Sequence, residues 1–401
     1  TLPVFAPFSS KAPRVTPSCP TPLHRRSIVD RDLKSPSTRI LVKLRPSLGL
    51  RAAESRANLR PLFHGPRAQA EAFRLGAEPQ WFLADLPESA ATPWDLAHAR
   101  IADQLGVAES DVVFAEPDLI HDIYPDPEGP TPPGPFTLTQ DCAVRPQNSD
   151  GGQATGPTQQ GWHLDSGFSQ LDKARASVPF SDPRTRIAHL DTGYSRKHVC
   201  KPERILTDLE RSFVPGDVDP GSAEDPDRKA FPIDNSGHGT GTIGILAGGK
   251  VPTWNGRYLG GAPWADILPL RIADSVVLLH TSAFAAALEY AVAQGCDVVT
   301  MSMGGLPSRA WRETVDLAYL AGICVVSAAG NNFNGVPTRH LVYPARYGRV
   351  IAVCGVMADG RPYAGLKGLR TMEGNYGPDS KMGHALSAYS PNIPWARFGC
   401  V

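Results

Sequence analysis

The feature that most constrains this chain is an alternation, after Gly161, of short apolar runs with longer helical patterns. Short runs rich in Val and Ile are typical of strands that are buried on both faces of a parallel sheet. The predicted strands are RTRIAHLDTGY, ADILPLRIA, DVVTMSMGG, ICVVSAAGN and RVIAVCGV, and the predicted helices are HGTGTIGILAGG, SAFAAALEYAVAQG and RAWRETVDLAYLAG. This order predicts an α/β domain of three layers, a mostly parallel sheet between two layers of helices, with ligands at the carboxyl ends of the strands.

The residues before Gly161 divide into three further regions. Residues 1–38 are rich in Pro, Ser and basic residues, which predicts a disordered leader. Residues 39–124 carry strand patterns in RILVKLR, QWFLADLP and DVVFAEPDLIHDIY, and a capped amphipathic helix in TPWDLAHARIADQLG, which predicts a small α+β domain. Residues 125–160 read as a Pro/Gly-rich linker with a processing site, and residues 161–401 hold the α/β domain.

Charge and hydropathy exclude two classes of partner. Forty basic residues balance 40 acidic residues, so the net charge is zero and nothing attracts the chain to nucleic acid or to an anionic membrane. The longest apolar stretch, ADSVVLLHTSAFAAALEYAV, is interrupted by Asp274, His280 and Glu289, so we predict no membrane span.

Three polar side chains stand where the predicted sheet would bind a ligand. Asp191 ends a strand, His238 opens a helix and Asn331 follows a later strand. An acid that orients a histidine, a histidine that moves a proton and an amide that donates to an oxyanion are parts of a nucleophilic acyl-transfer site. No G-x-G-x-x-G motif follows the first strand, which disfavours a nucleotide-binding fold.

The motifs AHLDTGY, NSGHGTGTIG, GGAPWADILPLRI, VVTMSMGG and VVSAAGNN, in this order, resemble the subtilisin-like serine proteases, or subtilases. The resemblance covers the chain from about Trp162 onward and implies a seven-stranded, mostly parallel sheet. It implies that Asp191 is the acid of an Asp-His-Ser triad, that His238 is the general base and that Asn331 donates to the oxyanion. The residues implied to bind an extended substrate are Ser302, Met303, Gly304, Gly305, Ala329, Gly330 and Val342, with Val342 in a specificity pocket for medium apolar side chains.

Residues 39–124 resemble the propeptide of the same family through FAEPD and the order strand, helix, strand. Family propeptides assist folding and inhibit the site with their C-terminal tail. The resemblance therefore implies a zymogen in which the tail, about His121 to Pro127, feeds the substrate cleft. The alternative is an unrelated accessory domain.

The family's nucleophile lies in a Gly-Thr-Ser motif, and none follows Asn331. Ser387 and Ser390 align with a loop before that motif, so we expect them to be structural loop serines. We expect a chain that stops before its nucleophile, with the serine supplied beyond Val401 and the 401 residues inactive alone. The alternative is a catalytically inactive, peptide-binding pseudoprotease that holds peptides at Ser302–Gly305.

The remaining expectations concern ions, partners and location. No cofactor is predicted. Ca²⁺ is a possibility at the acidic loop PGDVDPGSAEDPD, against the alternative of a solvated acidic loop. The expected partners are polypeptide substrates and the chain's own propeptide, and secretion is implied by the family resemblance alone.

Other histidines and cysteines are expected to be structural. His189, His280, His340 and His384 lack motif context and are predicted to be surface or hydrogen-bonded structural residues. Cys296, Cys324 and Cys354 fall in apolar runs and are predicted to be small buried residues.

Overall fold

The computed structural model of this chain describes residues in twelve ranges. These are 37–46, 59–63, 79–87, 91–121, 143–144, 161–177, 184–226, 237–276, 279–333, 338–363, 372–390 and 393–396. The predicted leader up to residue 36 and most of the predicted linker lie outside the described residues.

The N-terminal unit is an antiparallel sheet with one helical segment. Its sheet has the strand order β2-β3-β1-β4, and Thr92 caps the helical segment by accepting a hydrogen bond from the Asp95 N–H at 3.2 Å. The strands are β1 (Ser37–Leu44), β2 (Arg60–Pro61), β3 (Gln80–Pro87), β4 (Val112–Pro117) and β5 (Ile120–His121), and the helical segment α1 comprises Pro93–Asp95, a π-helical stretch Leu96–Arg100 and Ile101–Leu105.

This sheet is buried on both faces because two different sets of helices cover it. One face, with Ile40, Val42 and Phe82, packs against α1. The opposite face, with Leu41 and Trp81, joins the core of the larger domain. Alternate residues of a strand point to opposite faces, so the strands are apolar at both sets of positions.

The larger domain is built on seven parallel strands in the order β16-β14-β12-β11-β7-β9-β8. The further strands are β6 (Ala143–Val144), β7 (Arg186–Asp191), β8 (Arg211–Ser212), β9 (Asp266–Arg271), β10 (Leu279–His280), β11 (Val298–Met301), β12 (Cys324–Ala328), β13 (Asn331–Phe333), β14 (Val350–Val356), β15 (Met372–Gly374), β16 (Leu386–Tyr389) and β17 (Trp395–Ala396). The helices are α2 (Leu171–Ser177), α3 (His238–Ala247), α4 (Thr281–Ala293), α5 (Arg309–Leu320) and α6 (Asp379–Met382), with 3-10 turns at Glu109–Asp111, Trp162–Leu164 and Pro252–Trp254.

Helices lie on both faces of this sheet, which confirms the predicted three-layer α/β class. Ile187 of β7 packs with Ile243 of α3 on one face. Leu190 of the same strand packs on the other face with Phe284 of α4 and Trp311 of α5. The N-terminal sheet then covers the outer side of α4 and α5.

Several details differ from the predictions. The first strand begins at Ser37, inside the predicted leader. The run predicted as one strand from DVVFAEPDLIHDIY is two strands with different partners, because β4 pairs with β1 whereas β5 pairs with β10 of the larger domain. Part of the predicted linker, β6, pairs with β17.

The cysteine prediction is partly wrong. Cys296 is buried, but Cys324 is exposed at the start of β12 and Cys354 is only half-buried. None of the helices in the described ranges combines the length and hydropathy that a bilayer span requires.

Candidate active site

Asp191 and His238 meet at the carboxyl end of the central strand β7. Asp191 Oδ1 lies 2.7 Å from His238 Nδ1, and the Asp191 side chain is fully buried whereas that of His238 keeps 20% of its surface exposed. A carboxylate bound to Nδ1 leaves Nε2 as the ring nitrogen that can take a proton from a partner. The pair can therefore act as an oriented general base.

Two threonines, one in AHLDTGY and one in NSGHGTGTIG, connect the end of β7 to the start of α3 by hydrogen bonds. Thr192 Oγ1 accepts a hydrogen bond from the Gly239 N–H at 3.1 Å, and Thr240 Oγ1 accepts one from the Ser195 N–H at 2.9 Å. A Cβ at Gly239 would lie 1.9 Å from the Gly193 carbonyl oxygen. Only glycine permits this approach, which explains the residue that follows His238.

The charges of the pair stabilise each other. Burial opposes ionisation of Asp191, but the His238 charge and hydrogen bond outweigh it and hold the pKa of Asp191 at about 2. Burial alone would lower the pKa of His238, whereas the Asp191 charge and hydrogen bond, with a contribution from Asp225, raise it above its usual value. Asp225 also accepts a hydrogen bond from the Gly237 N–H at 2.8 Å.

Asn331 follows β12 at the same end of the sheet. Two strand spacings separate β12 from β7, or roughly 10 Å. Asn331 pairs with Gly374 in a short antiparallel ladder, and the Asn375 N–H donates to the Gly330 carbonyl at 2.9 Å. The sequence analysis did not foresee that 372–375 supports the Asn331 segment.

The predicted substrate-binding residues lie beside this edge, and most of them are buried. Ser302 is exposed and Gly305 forms an antiparallel bridge with Tyr343. Ala329 accepts a hydrogen bond from the Val342 N–H at 3.1 Å. The Met303 side chain is buried in the main core, so only its backbone can meet a peptide.

Val342 fills the space in front of two glycines. A Cβ at Gly304 would lie 2.2 Å from Val342 Cγ2, and one at Gly330 would lie 2.8 Å from Val342 Cγ1. Gly330 also has a φ of +89°, which side chains rarely adopt. The three predicted residues therefore lie together, and the Val342 side chain limits the depth of the space between the two glycines.

One strand pairing between the N-terminal unit and the larger domain could not be predicted from the sequence. Strand β10 pairs with β5 of the N-terminal unit, with Leu279 opposite His121 and His280 opposite Ile120. A two-residue strand has no periodicity that a sequence reveals. The predicted tail beyond His121 lies outside the described residues.

Two carboxylates fasten the N-terminal unit to the helices of the larger domain. Glu116 accepts hydrogen bonds from Ser308 Oγ at 2.8 Å and from the Ala310 N–H at 3.0 Å, at the start of α5. Asp118 accepts hydrogen bonds from the Ser282 N–H and Ser282 Oγ, both at 2.8 Å, at the start of α4. Both belong to the stretch FAEPD that carried the propeptide resemblance.

The four histidines predicted to be structural have different environments. His189 is buried and contacts Thr242 Oγ1 through Nε2 at 2.9 Å, as a structural histidine should. His340 and His384 are exposed. His280 is partly exposed, and its Nδ1 lies 3.9 Å from Asp118 Oδ2 without a hydrogen-bond partner among the described residues.

Ser387 is part of β16 rather than of a loop, and Ser390 follows it. Strand β16 is four positions from β7 in the sheet, which amounts to roughly 19 Å. This distance is too great for Ser387 to exchange a proton with His238.

Two carboxylates in the described part of the acidic loop already have partners. Asp217 binds Arg271 at 2.8 Å and Ser212 Oγ at 2.6 Å, and Asp219 accepts a hydrogen bond from the Gly221 N–H at 3.0 Å. Across the residues that the structure describes, no three His, Cys, Asp or Glu side chains form a cluster that could hold a metal.

The chain is similar to known proteins of one family. Residues 183–397 match the model of the subtilase family, described as Peptidase_S8. Subtilisin DY of Bacillus licheniformis is 32% identical over 189 residues, which cover 46% of this chain and 60% of that protein. The major intracellular serine protease of Bacillus subtilis (strain 168) is 34% identical over 172 residues, which cover 42% of this chain and 50% of that protein.

The crystal structure of fervidolysin from Fervidobacterium pennivorans, a keratinolytic enzyme related to subtilisin, has a TM-score of 0.48 and 20% identity, covering 90% of this chain and 48% of that one. This chain spans about half the length of the curated relatives described above. The family match spans more than half of the 401 residues, so the chain belongs to the subtilase family.

Proposed function

We propose that this protein is a serine endopeptidase of the Asp-His-Ser type, made as a zymogen. The observation that carries the proposal is the 2.7 Å contact between Asp191 and His238 at the carboxyl end of the parallel sheet. Asp191 holds the imidazole through Nδ1 and offsets its charge, so that His238 Nε2 takes the proton of an attacking serine and returns it to the leaving amine. Asn331 donates a hydrogen bond to the oxyanion, a contact worth about 10²–10³ in rate.

The proposed nucleophile lies outside the 401 residues. The sequence contains no Gly-Thr-Ser motif, and β16, which carries Ser387, is four strands from β7. A serine needs an adjacent base to lose its proton. Alone, the 401 residues are therefore expected to be inactive.

The zymogen proposal is supported by the contacts of the N-terminal unit. Glu116 and Asp118 bind the starts of α5 and α4, and β5 pairs with β10 as an added strand. The tail that continues from His121 would then occupy the cleft. Propeptide cleavage would free it for polypeptide substrates.

The substrate preference proposed is for medium apolar side chains at the cleavage site. The Val342 methyl groups lie against Gly304 and Gly330, so they would limit the depth of a pocket between the two substrate segments. A longer aromatic side chain would have to displace them.

The second candidate function is a pseudoprotease that binds peptides without cutting them. The observation in its favour is the absence of Gly-Thr-Ser from the sequence. The same Ser302–Gly305 segment would then bind an extended peptide through its backbone. Here the Asp191–His238 pair would have no nucleophile.

Two further proposals concern location and ions. Secretion is proposed from the similarity to subtilisins, although one similar protein is named an intracellular protease. No cofactor is proposed, and a stabilising Ca²⁺ at the acidic loop would compete with the existing partners of Asp217 and Asp219. Recovery of the protein from medium or from cells would test the location.

The deciding experiment is labelling of the longest natural form of this protein with a fluorophosphonate probe, followed by identification of the labelled peptide. We expect label on a Gly-Thr-Ser peptide, and loss of label and of self-processing in His238→Ala. His384→Ala, an exposed histidine, is the matched control. Absence of label from the folded natural form, or processing that persists in His238→Ala, would reject the protease and favour the binding module.

A further inference from the structure

Two pairs of side chains face each other across the boundary between β7 and α3. His189 and Asp191 are two apart on the strand and share one face, whereas His238 and Thr242 are four apart on the helix and share one face. His238 contacts Asp191, and Thr242 contacts both Asp191 and His189. The four residues form one continuous polar cluster, in which His189 and Asp191 are buried.

The two oxygens of Asp191 have different partners. Oδ1 accepts hydrogen bonds from His238 Nδ1 and from the Thr192 N–H, each at 2.7 Å. Oδ2 receives the Thr242 hydroxyl at 3.0 Å, whereas His189 Nε2 is 3.8 Å away. Among the described residues, Thr242 is thus the hydrogen-bond donor to the second oxygen of a fully buried carboxylate.

The single proton of Thr242 fixes the direction of these bonds. Its possible acceptors are His189 Nε2 at 2.9 Å, Asp191 Oδ2 at 3.0 Å, the His238 carbonyl at 3.2 Å and the Gly239 carbonyl at 3.3 Å. The ionised carboxylate is the strongest of these acceptors, because it alone carries a charge. With that proton committed, the 2.9 Å contact to His189 requires His189 Nε2 to carry the hydrogen and donate to Oγ1.

We infer that His189 and Thr242 are positioning residues that form a directed relay, from His189 Nε2–H to Thr242 Oγ1–H to Asp191 Oδ2. The relay fixes the plane of the carboxylate that orients His238. Its catalytic meaning rests on the proposed peptidase function, although its hydrogen bonds do not.

The electrostatics of the cluster agree with this direction. Burial lowers the pKa of His189 to about 4, so the ring is neutral at neutral pH and has one N–H to place. The charged and titratable groups that act on His238 are Asp191 and Asp225, and those that act on His189 are Asp191 and His238. A neutral donor at the end of the relay avoids a second buried positive charge beside the pair.

The first test reads the tautomer of His189 in the 401-residue chain. Long-range proton–nitrogen correlation spectra of the chain labelled with ¹⁵N-histidine distinguish a protonated ring nitrogen from an unprotonated one, and His189→Asn assigns the signal. We expect the hydrogen on Nε2 at pH 7. A hydrogen on Nδ1 alone would reverse the bond to Thr242 and overturn the inference, and this measurement needs no folded Thr242 variant.

The second test compares Thr242→Val with Thr242→Ser. Valine removes the donor but keeps the shape, whereas serine keeps the donor. The hydroxyl stabilises the free carboxylate more than the ion pair, so its loss should shift the pKa of His238 upward in the valine variant and leave it unshifted in the serine variant. An unshifted or lowered pKa of His238 in Thr242→Val would overturn the relay. A lowered pKa would mean that the Asp191 carboxylate had only moved, because a displaced carboxylate stabilises the imidazolium less.

Both measurements are independent of turnover. Failure of the fluorophosphonate labelling with the expected tautomer would reject the proposed peptidase and keep the relay. Normal labelling with the reversed tautomer of His189 would support the proposed peptidase and reject the relay.

Discussion

Glu116 of the N-terminal unit accepts a hydrogen bond from Ser308 Oγ at 2.8 Å, although 192 positions separate the two residues. The same carboxylate accepts hydrogen bonds from the N–H groups of Arg309 at 3.1 Å and Ala310 at 3.0 Å. The first N–H groups of a helix have no partner within that helix. The start of α5 is therefore completed by a carboxylate from a different unit of the chain.

The first prediction follows from this contact. Glu116→Ala should lower the free energy of unfolding of the 401-residue chain by about 2–3 kcal/mol, because it leaves buried donors without an acceptor. Urea unfolding measures the change. Glu109→Ala, at an exposed glutamate of the same unit, is the control and should change stability little. Equal effects of the two substitutions would show that the contact with α5 contributes nothing.

The second prediction concerns the pH dependence of His238. Asp191 raises the pKa of His238, so Asp191→Asn should lower that pKa, which an NMR titration of the 401-residue chain can follow. In the longest natural form, the base is active only when deprotonated, so the acid limb of the rate profile should move to lower pH in the variant while the rate falls by about 10⁴.

The sign for stability follows from the same shift. Because the pKa of His238 is higher in the folded chain than the 6.5 of the unfolded chain, the Asp191–His238 ion pair contributes its full stability below pH 6.5. This contribution is lost as the pH rises through the folded pKa. Asp191→Asn should therefore lose more stability at pH 6 than at high pH. A uniform loss across this range would contradict the charge interaction.

The third prediction concerns His163, a buried histidine whose two ring nitrogens have no hydrogen-bond partner among the described residues. Burial, helped by the charge of Arg175, lowers the pKa of His163 to about 4 from 6.5. Between pH 6.5 and pH 4 the unfolded chain therefore binds a proton at His163 that the folded chain does not bind. The free energy of unfolding falls as the pH falls through this range, by about 3 kcal/mol at most.

His163→Leu should remove this dependence. The variant should lose less stability between pH 7.5 and pH 5 than the unchanged chain does, as measured by urea unfolding at both pH values. His384→Leu replaces an exposed histidine and is the control. An undiminished loss in His163→Leu would mean that other groups cause the acid sensitivity.

The sequence was sufficient to predict that Asp191 ends a strand and that His238 begins a helix, because each lies in a patterned element with recognisable flanks. It was insufficient to predict that Leu279 and His280 form a strand, since a two-residue strand is defined by its pairing with β5 and not by its own sequence pattern. The role of His189 was also missed, because its partner Thr242 belongs to another element. The spacings H-x-D and H-x-x-x-T were visible, but only the contact between β7 and α3 joins them.

The N-terminal strands show a similar limit. Ile40 and Leu41 are both fully buried, and the sequence indicates that both faces of β1 are apolar. It does not indicate that one face belongs to α1 and the other to α4 and α5. The prediction for Cys324 was wrong because the apolar run includes the first residue of β12, which is exposed although the residue after it is buried.

The last prediction uses the contact between Gly304 and Val342. Gly304→Ala should destabilise the chain, because the new methyl group would lie 2.2 Å from Val342 Cγ2 in a closely packed region. The expected loss is about 1–3 kcal/mol, measured by urea unfolding. Val342→Ala removes both γ-methyl groups and should recover part of that loss in the double variant, although Val342 Cβ, 3.0 Å from the added methyl group, stays close.

A double-mutant cycle isolates this interaction, because residues in contact show a coupling energy that distant residues lack. Gly348→Ala, where an added Cβ has no atom within 4 Å, is the matched control and should not couple to Val342→Ala. In the active natural form, Val342→Ala should also increase cleavage after larger apolar residues relative to medium ones, because the space between Gly304 and Gly330 becomes deeper. Strictly additive losses for Gly304→Ala and Val342→Ala, together with an unchanged cleavage preference, would show that Val342 does not limit this pocket.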